Sequence, residues 1–573
     1  MQRRSFLFAL FTVIITFLVI SFSFRSLIFS MGTHLPDWND YPFYVWTVYQ
    51  NVGHLKSLSF HHFFNTNIFY PYQGTLLFSD LLLPQSIIAL PFSFFISNPI
   101  LVFNIVFFIT LLLNVTSTYF FWRQIIDKNE QVFLAVFATC VSGFLFQNSV
   151  HFQFLGFWPF FFGFGYLVKN QKTTKDLVCL GIWAGIQFLA GVYLAIFLLC
   201  AIFLWYGLEF FWNKKNKESL LSIVRQLFIV LVTFTLIAGF FAFKYIEIKK
   251  MYQINREFWE YIYYSAHLTD YVFSTNYQSI ISNLWPISKW NSFNHAGSLF
   301  PGFLISGLFL IGLFSIKKIK TIVSISIMLK REDIFFFLLL IGGFFASLGP
   351  RLNVNGTYAI VPLPYLIPLK LIPLLDPIRV NSRWYLYVLI ALIYFALKGM
   401  RKFNFLSKTF IVALFCFVVA LEVMPITKST EAKAYYHDVY SQIEPICTKN
   451  TQVLLEYPMT QNTKDINVVT NLTYRTQAML ASLRHHCTLV NGYMGYVPKD
   501  YVRYESELTT SVNSTQSAQF WKLIDEKQVR FIKLNKHDLF SEKVLIVEKF
   551  FQGNPKVKIL ADTDAFVIAE VSQ

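Results

Sequence analysis

Long apolar runs separated by short polar segments fill residues 1–425, whereas residues 426–573 alternate short apolar stretches with polar ones. The first run, Phe6 to Phe24, follows Arg3 and Arg4 with no small-residue cleavage site after it. It predicts an uncleaved first span with a cytoplasmic N-terminus. Further runs long enough to cross a bilayer lie near 98–121, 131–147, 152–168, 176–190, 191–211, 223–243, 299–316, 334–349, 383–398 and 408–425, making eleven spans. Leu81 to Ser97 is also apolar but holds Pro84 and Pro91. Laid along the membrane or re-entering it, this run leaves Arg123–Lys128, Lys169–Lys175, Lys214–Lys217, Lys317–Arg331 and Arg401–Lys408 all on the cytoplasmic side. Eleven spans then place residues 426–573 outside. Within that part, Val453–Leu455, Thr488–Val490, Val529–Leu534, Val557–Ile559 and Ala565–Ala569 read as strands, with helices at Gln477–Arg484 and Trp521–Lys527. The pattern predicts a small α/β domain, with a sandwich as the alternative. The fold class is therefore mostly α, a polytopic transmembrane bundle (residues 1–425) followed by an extracytoplasmic α/β domain (426–573).

Composition agrees with this pattern. Of 573 residues, 55% are hydrophobic and 14% charged, against about 25% charged in soluble proteins, which excludes a large soluble enzyme and a disordered chain. The net charge of +16 is uneven: residues 1–425 carry 31 Lys/Arg against 16 Asp/Glu, and residues 426–573 carry 17 against 16. The basic excess belongs to the membrane part, where cytoplasmic loops collect it, so no nucleic-acid partner is implied. Four cysteines lie in apolar runs. Cys447 and Cys487 alone fall in the exported part, without metal-ligand spacing, and could pair if their compartment is oxidising and their Cα atoms lie within roughly 7 Å.

Few ionisable residues fall at mid-span, which points away from ion-coupled transport and toward chemistry at the outer surface. The first outer loop holds Asp37, Asp40 and Asp80 among Tyr, Trp and Pro, and a carboxylate in partly apolar surroundings suits a general base. Asp40 also precedes Tyr41-Pro42, where it is placed to cap a helix. Cations on the outer side break the positive-inside rule: Lys249, Lys250, Arg256 and Lys289, then Arg351, Lys370, Arg379 and Arg383. Arg379 and Arg383 flank the start of a span, where guanidinium groups clamp a lipid phosphate, snorkel to head groups or pair with Asp376. All eleven histidines, including His151 and His267, fall outside under this topology, as expected if His is merely costly in lipid.

Taken in order, these segments resemble bacterial polytopic membrane glycosyltransferases of the GT-C fold, most of all the large, uncharacterised members with a C-terminal extracytoplasmic domain. The resemblance rests on Asp40 to Trp46, Tyr70-Pro71-Tyr72-Gln73-Gly74, Asp80, Asn98 to Asn104, His151-Phe152-Gln153 with Pro159, and Tyr264-Ser265-Ala266-His267. It continues through Leu299 to Gly302, Leu348-Gly349-Pro350, Pro362 to Tyr365, Arg379 to Arg383, Leu421-Glu422 and Asn491 to Tyr496. Two positions depart: His295 stands where the family has an acid, and Met494 where it has Ser. The resemblance implies a polyprenyl-phosphate-linked sugar donor, a glycan, lipid or protein acceptor on the extracytoplasmic side, and residence in the inner (plasma) membrane. It assigns the base to Asp40, with Asp37 and Asp80 in reserve, and substrate contacts to Arg379, Arg383, His151, Gln153, Arg256 and His267. No cofactor is demanded by this chemistry; a divalent metal is left open. The competing expectation is a non-catalytic surface-polysaccharide assembly or translocation protein.

Overall fold

The computed structural model describes the chain except residues 1, 38–39, 59–60, 214–216, 273–298, 316–329, 355–356, 402–407, 426, 437, 460–467 and 573. Helices occupy each of the eleven apolar runs. Among the described residues, six helices are long and apolar enough to cross a membrane: Phe6–Ser23, Pro99–Arg123, Asn129–Val150, Val192–Trp212, Glu218–Met251 and Asn381–Arg401. The last long helix before the second half of the chain, Lys217–Met251, spans 35 residues, or roughly 50 Å at 1.5 Å per residue. It leaves Phe228, Leu236 and Phe240 at least 60% exposed, a cost in water that lipid removes. The chain is a membrane protein. Leu83–Phe92 is a helix of only 10 residues, about half the length that a crossing needs.

The chain forms two compact units. The first comprises Met1–Arg25, Phe107–Phe240 and Arg256–Thr427. Helix Tyr385–Arg401 is buried along nearly its whole length and packs against Phe303–Ser315 and Arg331–Ser347. Glycines set the first of these contacts. A side chain at Gly312 would strike the Phe395 carbonyl, and one at Gly399 the Leu308 carbonyl, so the two backbones touch directly, as small residues permit between apolar helices.

The second unit comprises Ser26–Val106, Phe241–Asn255 and Lys428–Gln573. Residues 428–573 thus share a compact unit with the first loop. Their centre is one mixed five-stranded sheet, so the α/β expectation holds and the sandwich does not. Its strands are β1 (Val453–Tyr457), β2 (Thr488–Leu489), β3 (Phe531–Asn535), β4 (Val557–Asp562) and β5 (Phe566–Val571), in the order β2-β1-β3-β5-β4. The parallel pairs β1–β2 and β1–β3 are joined through helices such as Val468–His485, while β4 and β5 form the antiparallel hairpin expected around Asp562-Thr563-Asp564. Register sets Glu456 opposite Lys533. Their buried ion pair of 3.0 Å is completed by the Tyr440 hydroxyl, which donates to Glu456 at 2.6 Å.

The exposed edge at β2 is covered by the first loop. Leu489 donates its N–H to the Asn67 carbonyl (2.7 Å), and Tyr70 and Phe69 donate to the carbonyls of Leu489 (3.0 Å) and Asn491 (3.1 Å). Pairing an edge with the chain's own loop satisfies its backbone and blocks association there. Cys447 and Cys487 form a disulfide, with Cα atoms 4.9 Å apart and a sequence separation of 40. Cross-linking such a loop stabilises by about 2–5 kcal/mol. The doubly substituted Cys447→Ser/Cys487→Ser protein is expected to melt several degrees lower in non-reducing buffer; an unchanged midpoint would show that the bond contributes nothing.

Candidate functional site

In the second unit, Asp40 begins helix Tyr41–Ser57, with Pro42 in its first turn. Its side chain makes no capping hydrogen bond. The carboxylate is 9% exposed and turned to two phenols instead: Oδ2 accepts from the Tyr44 hydroxyl and Oδ1 from the Tyr493 hydroxyl, each at 3.3 Å. Tyr44 is one helical turn beyond Asp40, the spacing at which side chains on one helix meet. Tyr493 comes from the Asn491–Tyr496 segment, and the local chain explains why it arrives there. The Asn491 amide spans β1, accepting from Glu456 N–H and donating to Glu456 carbonyl, both at 2.8 Å. Gly492 lies so close to the Phe69 ring that a Cβ would overlap it. Tyr496 donates its N–H to the Phe78 carbonyl at 2.8 Å. Met494, at the departing position, is buried.

Asp80 is half-buried next to the same loop. Tyr245 donates its hydroxyl to the Ser79 carbonyl at 2.7 Å, and Asp80 and Tyr496 both act electrostatically on that phenol. Asp37 is half-buried. Each of the three loop acids therefore has a described place, and Asp40 is the most enclosed.

In the first unit, three of the matching segments interlock. The Asn381 amide donates to the Tyr261 carbonyl (2.6 Å) and Ser265 Oγ (3.3 Å), Ser382 N–H to the Tyr264 carbonyl (3.2 Å), and Ala266 N–H to the Ser347 carbonyl (2.8 Å). Gly349, at φ +75°, abuts the Ser265 hydroxyl with no room for a side chain. This framework fixes the cations. Arg379 pairs with Glu260 (Nη1–Oε1 3.1 Å) and lies over the Tyr264 ring, while Arg256 reaches the same Glu260 oxygen at 3.5 Å. Asp376 accepts from the Tyr261 hydroxyl at 2.8 Å.

Arg383 takes another direction. It is 4% exposed, donates from Nε to Asn148 Oδ1 at 3.3 Å, and lies over the rings of Phe154 (5.1 Å) and Tyr193 (5.0 Å). The Tyr193 hydroxyl accepts from the N–H groups of Arg379 (3.1 Å) and Val380 (3.4 Å). Arg383 therefore sits on the turn that carries His151 and Gln153, and Gln153 holds a buried side-chain oxygen with no hydrogen-bond partner among the described residues. His267 starts a short turn whose Asp270 carboxylate accepts its backbone N–H at 2.7 Å, and burial pushes its imidazole below the ordinary value. Lys289 and His295 lie outside the described residues.

Sequence reasoning missed Tyr44, Tyr493, Glu260, Asn148 and Tyr193. The two tyrosines stand inside segments that had drawn notice, whereas Glu260, Asn148 and Tyr193 carry no local signal. Among the described residues no group of three His, Cys, Asp or Glu is placed to hold a metal ion.

Comparison with known proteins follows from these features. The chain shares its fold with the oligosaccharyltransferase AglB of Archaeoglobus fulgidus, solved in complex with Zn and sulfate: TM-score 0.52 and 12% identity over 98% of this chain and 73% of that one. The same enzyme in complex with an inhibitory peptide and a dolichol-phosphate gives TM-score 0.50 and 12% identity over 98% and 74%. Its apo form gives 0.52 and 12% over 99% and 74%. This is the GT-C type of fold, as the segment pattern implied. No curated protein sequence matches significantly. The family described as a domain of unknown function (DUF6311) matches residues 6–423, close to three-quarters of the chain, and the chain belongs to that family.

Proposed function

We propose that this protein is a membrane glycosyltransferase of the inner (plasma) membrane, with its C-terminal part on the extracytoplasmic face. It transfers a sugar from a polyprenyl-phosphate donor to an extracytoplasmic glycan, lipid or protein acceptor. The observation that carries the reading is Asp40: an enclosed carboxylate at a helix start that does no capping and is held by hydroxyl donors on both oxygens. The fold supports it, since one solved relative was captured with a dolichol-phosphate. A fold alone hosts many activities, so the site has to carry the argument.

The donor already bears its leaving group, so no acid is needed to expel it. The acceptor oxygen forms a bond to the anomeric carbon as the carbon–oxygen bond to phosphate breaks, its electron pair leaving with the lipid phosphate and inverting that carbon. Asp40 takes the acceptor proton. Arg383, and beside Glu260 the pair Arg379 and Arg256, are the cations suited to the phosphate, because a guanidinium offers two parallel donors to its oxygens. Asp37 and Asp80 are the reserves for the base, and His151, Gln153 and His267 contribute polar contacts.

The test is mass analysis of lipids and surface glycans from cells of the source organism that lack this protein. One polyprenyl-phosphate sugar should accumulate and one glycosylated product should vanish. Lipid-linked sugars and surface glycans both identical to those of the parent strain would end the enzyme reading.

A further inference from the structure

A separate cluster of cations in the first unit has no part in that chemistry. Lys172 lies in the turn between helices Trp158–Val168 and Thr174–Ala190. Its ammonium sits 4.8 Å from the ring centre of Trp205, and Arg331, at the start of helix Arg331–Ser347, places its guanidinium 4.3 Å from the same ring. Two cations therefore bear on one indole that is itself fully buried. A cation over an indole gains about 1–2 kcal/mol, but two of them repel each other, and both have been taken partly out of water.

The nearby carboxylates do not resolve this. Asp176 is held by Lys169 at 2.8 Å and by the Thr173 N–H and hydroxyl at 2.8 and 2.7 Å. Glu209 pairs with Arg331 at 3.0 Å. Among the described residues Lys172 has neither a hydrogen bond nor an ion pair, and burial pushes its ammonium down to about 8, with Arg331 adding to the shift. A cation so placed is at the point of losing its proton unless an anion joins it.

Two further donors are unmet in the same cluster. The Trp205 indole N–H and the Tyr206 hydroxyl are buried, each in a residue no more than 2% exposed, and neither has a hydrogen-bond partner among the described residues. The Tyr206 ring lies 6.0 Å from the Lys172 ammonium. Buried donors without acceptors are uncommon and ask for a missing group. Glu209 lies close enough to act on the Lys172 ammonium but pairs with Arg331, and an acceptor that carries negative charge would meet Lys172, the indole N–H and the phenol together. Lys172 precedes the apolar helix Thr174–Ala190 and Arg331 starts the apolar helix Arg331–Ser347, and tryptophan is favoured at the ends of membrane helices.

We propose that Lys172, Arg331, Trp205 and Tyr206 form a binding site for a phosphate oxyanion at the membrane boundary. Lys172 and Arg331 against Glu209 leave one positive charge, which a singly charged phosphodiester neutralises. That favours the head group of an anionic phospholipid over free phosphate, a mixture of singly and doubly charged ions at neutral pH. Arg331 supplies the fork and Lys172 the point charge, while the indole forms an apolar wall beneath the glycerol.

The test uses the full chain, purified in detergent and stripped of lipid, with native mass spectrometry as the readout. Phosphatidylglycerol should bind at least tenfold more tightly than phosphatidylcholine. Lys172→Gln should abolish that preference, and Lys172→Arg, which keeps the charge, should retain most of it. Inorganic phosphate is the second probe. If it displaces the lipid at equal concentration, the oxyanion site stands and its natural ligand is the free ion; if it does not, the ligand is the lipid. Equal binding of the two lipids together with no phosphate binding, or Lys172→Gln behaving as the parent while Lys172→Arg is folded, would overturn the proposal. Neither variant touches the residues assigned to sugar transfer, so its failure is separate from that of the enzyme reading.

Discussion

Asp40→Asn is expected to lower sugar transfer by a factor of roughly 10²–10⁴, the usual worth of a positioned base. The substitution keeps the volume of the side chain and leaves an acceptor oxygen for one of its two phenols. It removes the negative charge and, with the second acceptor oxygen, the capacity to take a proton. Stability should change little, because the carboxylate makes no capping bond whose loss would cost the helix about 1 kcal/mol. The assay uses the lipid-linked sugar that accumulates in cells lacking the protein. Asp37→Asn, at a half-buried position without the enclosure of Asp40, should be far milder. Purified Asp40→Asn protein with full specific activity would refute the assignment and move it to Asp80, whose neighbours Tyr245 and Tyr496 offer a second acid beside phenols.

The pattern of apolar positions carried a good deal of this architecture. Helices stand where each apolar run stood, and the hairpin at Asp562–Asp564 closes where its turn residues placed it, because both depend on contacts a few residues apart. The place of the first loop was not legible. Asn67 to Tyr70 carry no strand pattern, yet they pair with the β2 edge more than 400 residues later. Hydrogen bonds of that kind leave no periodicity to read. The same holds at the candidate base. Asp40 could be singled out by its position after a span, but Tyr493 meets it across 453 residues, and no spacing rule reaches so far. Glu260 was passed over for a related reason. A single acid among aromatics reads as solvated surface until two arginines close on it from before and after in the chain. The Asn491–Tyr496 segment is the instructive case, for the sequence marked it and only the fold gave it a task. Asn491 fixes the segment to β1, Gly492 admits the Phe69 ring, and Tyr493 is left facing the carboxylate.

Arg383→Lys is the second substitution from which a large effect is expected, a rise in donor KM of about 10–100-fold, corresponding to the roughly 1.5–3 kcal/mol of a charge-assisted hydrogen bond. The charge is preserved, so the change isolates geometry. Arg383 is flat, lies against Phe154 and Tyr193, and is oriented by Asn148 through Nε. With Nε committed in this way, the two terminal nitrogens form the edge of the fork, the arrangement that meets two phosphate oxygens at once. A lysine ammonium has no plane to lay on a ring and no second donor in a fixed direction, so it attracts the phosphate without orienting it. A purely architectural arginine predicts something else. Losing its contacts with Asn148 and two rings at a site 4% exposed would lower the melting temperature and the amount of folded protein while leaving KM where it was. Arg379→Lys provides the comparison, since Arg379 is tied to Glu260 and is more exposed, at 29% of its side chain. If Arg379→Lys raises KM and Arg383→Lys does not, the phosphate contact belongs to the cations around Glu260, and Arg383 serves to hold the turn at Asn148 in place.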